Sequence, residues 1–399
     1  MLCTNFFRRI LSMSERRNWV ERNIFHQHQP QPWERVRYQV EEDRPITGRI
    51  EVYTGHGLQK VGMGKDLWEQ SSIVREIYTS AERASGIKVA EISFEGPEDL
   101  LNRTENTQVL IPTYSVACKA MLVEDNPLRF RRFSAVNIGQ SAAFGIAAYE
   151  AGSFGNPYEF KSFEKMIRFY KERGLIMQEV SDAVGGGLVV VGVRKKRGEE
   201  ASPEQVDLIT HLRENRKEFN VELALDVAPD QVILGGSNAE IESFQKGVAD
   251  EYEQYGIRTI RSKASSGPFH IERYMKPADQ PIRDLIRSTD FEDPKSLVVA
   301  NTRRAFLRTA DEIEQEFGDL TIMPVLGRDM DALVAEHCRG IMYFIGGDRA
   351  IAQDMFVDSA GGKKPIYRSK KFLAAAGLTV GTGAAIAIAA QKRRPSKKS

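Results

Sequence analysis

Three residues far apart in the chain, Ser141, Arg173 and His270, combine types and settings that can do chemistry together. Ser141 lies in Gly139-Gln140-Ser141-Ala142-Ala143, between a run patterned as a strand over residues 132–138 and a stretch of small residues suited to a tightly packed helix. A strand, a sharp turn carrying serine, then a helix is the elbow that exposes a nucleophile. The ordinary alternative is a helix-capping serine; a cap needs no base, whereas a nucleophile needs a partner to take its proton.

The chain's six histidines separate by setting. His26 and His28 lie in an N-terminal tail, and His211 and His337 sit inside helical patterns. His56 belongs to the glycine-rich loop Thr54-Gly55-His56-Gly57-Leu58-Gln59, and His270 follows the turn-forming Ser265-Ser266-Gly267-Pro268-Phe269. An imidazole at a rigid turn is well placed as a general base; a loop histidine with no task is the plain alternative. Arg173 falls with Met166, Tyr170 and Met177 on the apolar stripe of a helix, while Lys165, Arg168, Lys171 and Glu172 fall elsewhere. A guanidinium on a buried face must be paired or it costs several kcal/mol. Its partner is either an internal acid or the carboxylate of a substrate, which an arginine fork holds by two parallel hydrogen bonds.

These residues need a scaffold. From residue 50 onward, short apolar runs alternate with longer amphipathic stretches, the pattern of an α/β domain with a mostly parallel sheet and a hydrolase-like elbow. Residues 50–54 read as a strand entering the first glycine-rich loop. Strands over 187–193, 221–225, 231–235 and 258–263, with helices over 203–217 and 238–255, give the order β-α-β-β-α-β of a ferredoxin-like insert. The predicted division is an N-terminal extension over 1–46, a core over 47–184 and 267–360, an inserted subdomain over 185–266, and a basic tail over 361–399. A cleft between two such units is a common place for a substrate.

Lysine plus arginine number 56 against 55 acidic residues, so no excess of positive charge marks a nucleic-acid partner. Three scattered cysteines, Cys3, Cys118 and Cys338, are too few for a disulfide framework or a thiolate metal site and fit a reducing compartment. Both ends are basic. Leu2, Phe6, Phe7, Ile10 and Leu11 stand near helical spacing among arginines, with no acid before Glu15, as in organelle-import presequences; a disordered basic tail is the alternative. Residues 372–390 carry no charge and are flanked by Lys370, Lys371, Lys392, Arg393 and Arg394. As a helix that stretch reaches about 28 Å, enough for a transmembrane span, although its alanine and glycine drive insertion weakly; the alternative is a flexible tail.

Taken in order, the motifs resemble the malonyl-CoA:acyl-carrier-protein transacylase family over roughly Glu51 to Met355. Gly55-His56-Gly57-Leu58-Gln59 resembles the family's GQGSQ loop, the segment from Leu101 to Gln108 its LxxTxxTQ, and the serine elbow its GHSxG. Arg173-Gly174 with Met177-Gln178 resembles RGxxMQ, Gly267-Pro268-Phe269-His270 matches GPFH, and the segment from Pro229 to Gly236 resembles PxQxVISG.

The resemblance implies an [acyl-carrier-protein] S-malonyltransferase feeding fatty-acid synthesis, and the import-like N-terminal segment adds the expectation of a mitochondrial address. Ser141, deprotonated by His270, attacks malonyl-CoA, and the malonyl group then passes to the phosphopantetheine thiol of an acyl carrier protein. Arg173 holds the malonyl carboxylate, the amides of His56 and Ala142 form the oxyanion hole, Gln108 lines the pocket, and the backbone carbonyl of Leu320 orients His270. No cofactor or metal is implied, and the catalytic domain is expected to act as a monomer, with possible membrane attachment only through the tail. The chain departs from the pattern at His56, Val109, Gln140, Ala143 and Ile271, and at Ala143 a methyl group at a site of close packing can tilt the elbow. A thioester or lipid hydrolase using the same pair, and an inactive membrane-attached binding protein, are the competing readings. Arg173 speaks against the first, because a hydrolase gains nothing from a carboxylate clamp. Joint retention of Ser141, His270 and Arg173 speaks against the second.

Overall fold

A strand buried on both faces reads as a nearly continuous apolar run, and β1 (Ile46–Tyr53) has every side chain from Ile50 to Tyr53 buried. A computed structural model describes residues 45–57, 59–130, 133–195, 199–262, 267–346 and 355–357. The import-like segment and the charge-free stretch 372–390 lie outside the described residues. Among the described residues, no helix is long and apolar enough to cross a membrane.

After β1 come α1 (Ser72–Ser85), α2 (Thr104–Asp125), β2 (Val136–Gly139), α3 (Ala143–Glu150) and α4 (Phe160–Val184). Next follow β3 (Gly187–Val193), α5 (Pro203–Glu214), β4 (Glu222–Ala228), β5 (Gln231–Gly236), α6 (Asn238–Tyr252) and β6 (Ile257–Arg261). The chain then runs through α7 (Glu272–Arg287), β7 (Leu297–Val299), β8 (Phe306–Leu307), α8 (Ala310–Ile322), α9 (Gly327–His337), β9 (Cys338–Ile345) and β10 (Met355–Val357). Ser202 with Gln205, Ser237 with Glu240, and Thr309 with Glu312 form capping boxes that fix where α5, α6 and α8 begin. The strand expected over 132–138 begins only at Val136. The helices expected to run to 217 and 255 end at Glu214 and Tyr252, and the chain tightens into 3-10 turns over Arg216–Phe219 and Glu253–Tyr255.

The first sheet has the order β10-β9-β1-β2-β7-β8, parallel through β9, β1, β2 and β7 with an antiparallel strand at each edge. The α/β class with a mostly parallel sheet is therefore as expected. A second sheet, β4-β5-β3-β6, is antiparallel throughout and has its own core, including Val189, Val232, Leu234, Ile209 and Phe244. It joins the first unit where Asp226 donates its amide to Val325 (2.8 Å) and Val325 donates to Ala224 (2.9 Å).

A buried charge cluster beneath the first sheet was not foreseen from residue spacing. Glu51 on β1 receives Lys119 from α2, Arg49 and the Tyr53 hydroxyl, and Glu150 at the end of α3 lies 3.6 Å from Lys119. Burial would raise the Glu51 pKa, but Lys119 and Arg49 outweigh it and hold the carboxylate below its ordinary range. Breaking such a group one partner at a time leaves an uncompensated buried charge, so it locks β1, α2 and α3 in one register.

Candidate active site

The C-terminal ends of three adjacent parallel strands meet at one place: His56 follows β1, Ser141 follows β2 and Asn301 follows β7. The carboxyl ends of parallel strands are where open α/β sheets gather ligands. Ser141 sits at φ 55°, a left-handed conformation that costs a non-glycine residue energy and turns the side chain out of the strand. Two residues earlier only glycine fits, since a Cβ on Gly139 would lie 2.0 Å from the Ala143 carbonyl oxygen. Ala143 does not tilt the elbow as its methyl group led one to expect. That methyl sits over the bare α-carbon of Gly55, 3.7 Å from where a Cβ would stand, and the turn closes through the Ala143 amide to Gln140 (3.0 Å).

The Ser141 Oγ lies 2.6 Å from His270 Nε2, and His270 Nδ1 lies 2.7 Å from the Leu320 carbonyl oxygen. A carbonyl only accepts, so Nδ1 carries the proton and Nε2 is left to accept from the serine hydroxyl. Leu320 lies in the last turn of α8, where the proper partner of its carbonyl would be the amide of residue 324; that residue is Pro324, which has no N–H. The sequence therefore leaves this carbonyl unpaired in its helix, and the histidine takes it. His270 is 3 % exposed and itself at φ 65°. Burial pushes its pKa down to about 4; the Leu320 bond opposes this and the Arg173 charge adds to it.

Asn301, fully buried, escaped sequence reasoning. Its Oδ1 accepts the Ser141 amide (2.7 Å) and its Nδ2 donates to the Gly139 carbonyl (2.8 Å), so one side chain clamps both sides of the elbow. Glu316 anchors the clamp by accepting the amides of Asn301 (2.6 Å) and Thr302 (2.7 Å). No spacing in the chain links residue 301 to 141; the only hint was a polar Asn-Thr pair directly after an apolar strand. Asn301→Ala is expected to lower stability by about 2–4 kcal/mol, two buried bonds being lost. It is also expected to slow any Ser141 reaction roughly 10- to 100-fold by loosening the turn. Chemical denaturation and Ser141 labelling rates check this, and parent-like values in both would refute the clamp.

Arg173 emerges on the inner face of α4 with Met166, Tyr170 and Met177, all buried, as their spacing predicts. Three residues earlier, about 4.5 Å along the axis, the Tyr170 hydroxyl donates to the Ala142 carbonyl, which sets this face against the elbow. One connecting segment, residues 151–159, leads from α3 to α4. It folds into turns, with Tyr149 donating to the Pro157 carbonyl (2.6 Å) and Phe154 packed on Phe169 and Phe291.

Among the described residues no ion pair involves Arg173. Its Nη1 donates to Gln108 Oε1 (2.7 Å), the Gln108 amide donates to Met177 Sδ (3.3 Å), and its Nε is buried without a partner. Burial lowers its pKa to about 10, which leaves it cationic at neutral pH. His56 completes the group. Its pKa is pushed down to about 3 by burial, then by the charge of Arg173 and that of His270. The sequence-selected Ser141, His270, Arg173, Gln108, His56 and Ala142 thus converge, with the Leu320 carbonyl in contact with His270 Nδ1. A separate cleft of about 490 Å³, lined by Phe154, Lys165 and Glu292, holds none of them.

An uncompensated buried cation beside a serine whose proton has a ready acceptor suits a covalent reaction on an acyl group that carries its own negative charge. No protein-family model matches the chain. It is 27 % identical over 291 residues to the human mitochondrial malonyl-CoA-acyl carrier protein transacylase, covering 71 % of this chain and 69 % of that one. It is 26 % identical over 298 residues to the Bacillus subtilis malonyl CoA-acyl carrier protein transacylase, covering 74 % and 84 %. A malonyl-transacylase solved in complex with its type II PKS acyl-carrier protein superposes with a TM-score of 0.60 at 23 % identity, over 72 % of this chain and 85 % of that one. In sequence and in fold, the chain is similar to the malonyl-CoA:acyl-carrier-protein transacylases.

Proposed function

We propose that the protein transfers malonyl from malonyl-CoA to the phosphopantetheine thiol of an acyl carrier protein through a malonyl-Ser141 intermediate, feeding fatty-acid synthesis. His270 removes the serine proton as Oγ attacks the thioester carbonyl, and the amides of His56 and Ala142 receive the oxyanion. His270 then returns the proton to the departing CoA sulfur. The carrier thiol reverses these steps, giving a ping-pong cycle with no cofactor. Arg173, held by Gln108, takes the malonyl carboxylate. The strand order of residues 187–261 supports reading 185–266 as a ferredoxin-like subdomain that closes one side of the cleft. The mitochondrial human relative and the arginine-rich start of the chain support a mitochondrial address. Membrane attachment through 372–390 rests on the sequence alone.

The observation that carries this reading is the buried Arg173, which has no acidic partner among the described residues, beside the Ser141–His270 pair. Arg173→Met is expected to lower malonyl loading kcat/KM by about 100-fold, since a charged hydrogen-bonded pair is lost. The same variant is expected to melt no lower than the parent, because an unpaired buried charge has been removed. Loading is followed by intact mass after incubation with malonyl-CoA or acetyl-CoA. Equal loading of both by the unaltered protein would refute the clamp, and free malonate without an adduct would favour a hydrolase.

A further inference from the structure

Two buried polar atoms in the site have no hydrogen-bond partner among the described residues, Nε of Arg173 and Nε2 of His56. The other polar groups around them are engaged. His270 uses one ring nitrogen on Ser141 and the other on Leu320, and Gln108 uses its oxygen on Arg173 and its nitrogen on Met177. Leaving a polar atom sealed and unmatched is costly, and such atoms in a native site mark where a ligand supplies the missing group. Resting on the transferase reading, we propose that the His56 side chain is a specificity-determining residue, its Nε2 hydrogen-bonding the free carboxylate of the acyl group alongside Arg173. This role is separate from that of the His56 main-chain amide.

Three features favour the carboxylate over the reacting carbonyl as the ligand of this nitrogen. Of the two groups that lower the His56 pKa after burial, Arg173 does so more than His270, and of the two only Arg173 is charged at neutral pH. Beside a buried guanidinium the ring stays neutral, so it offers one N–H without setting a second cation against the first. A carboxylate has two oxygens and about four lone-pair sites, enough to accept from Arg173 and from His56 together. An acetyl group presents nothing there and leaves both atoms unmatched, so the pair rejects it by the same means that it accepts malonyl.

The test compares kcat/KM for loading from malonyl-CoA and from acetyl-CoA in the full chain carrying His56→Phe or His56→Gln, by timed intact-mass measurement. Phenylalanine fills the space without a hydrogen-bonding atom, whereas glutamine restores a side-chain donor. The malonyl-to-acetyl ratio is expected to fall about 10- to 100-fold in H56F and to stay within about threefold of the parent in H56Q. Because both substrates are measured on one preparation, the ratio does not depend on how much of a variant folds. A parent-like ratio in H56F overturns the proposal, even if both rates drop, since the imidazole would then serve the reacting centre. A fall in H56Q equal to that in H56F overturns it too, because the donor would not be what matters. Absence of any adduct on the unaltered protein sinks the transferase reading itself and this inference with it, an outcome the variants' ratios cannot mimic.

Discussion

Ser141→Ala is expected to eliminate the malonyl adduct and lower transfer to a carrier thiol by about 10,000-fold or more, the loss typical when a covalent nucleophile is removed. No other described side chain is set to replace it. Cys118 and Cys338 are buried, and burial raises each thiol to a pKa of about 12, so neither supplies thiolate. The serine also occupies a strained position at φ 55°. Alanine keeps that strain and glycine removes it, so Ser141→Gly is expected to melt above Ser141→Ala by about 1 kcal/mol in stability, while both are inactive. Survival of the adduct in the alanine variant would show that another group carries the acyl chain.

His270→Ala removes the base that the Leu320 carbonyl orients, and loading is expected to fall about 1,000- to 10,000-fold. The pH profile gives a sharper check. The imidazole works as a base only when neutral, and its pKa is lowered to about 4, so kcat/KM is expected to be flat through neutral pH and to fall tenfold per pH unit only below that value. A bound carboxylate offsets the Arg173 charge, one of the causes of the lowering. The acid limb of kcat, which reports the occupied site, is therefore expected to lie above that of kcat/KM. The same lowering links stability to acid. The unfolded histidines at 56 and 270 take up protons near pH 6.5 and the folded ones do not, so stability declines as pH falls through that value toward the folded pKa values of about 3 and about 4. A loading profile with its limb near pH 6.5, unchanged by substrate, would place the base in an exposed setting and contradict the buried pair.

Much of this was written in local sequence. The apolar stripe through Met166, Tyr170, Arg173 and Met177 put the guanidinium indoors before any fold was known, because helical periodicity is a short-range property. Glycine at 139 before the serine signalled the elbow for a steric reason, and Pro324 left the Leu320 carbonyl without its helical partner. The mostly parallel sheet followed from short apolar runs separated by long amphipathic ones.

What local pattern could not decide is which distant groups satisfy one another. Arg173 had two possible partners on paper, and only the packed chain left it to Gln108 with its Nε unmatched. Asn301 could not be selected, since its bonds to Ser141 and Gly139 arise when β7 is laid beside β2, a pairing across roughly 160 residues that no spacing encodes. Ala143 had the reverse fate: a methyl group that looks crowded in the motif has room once Gly55 lies beneath it. Residue type and period fix what a side chain can do and which way it faces. The desolvation, shared hydrogen bonds and unmatched atoms that make it a site exist only once the chain has closed.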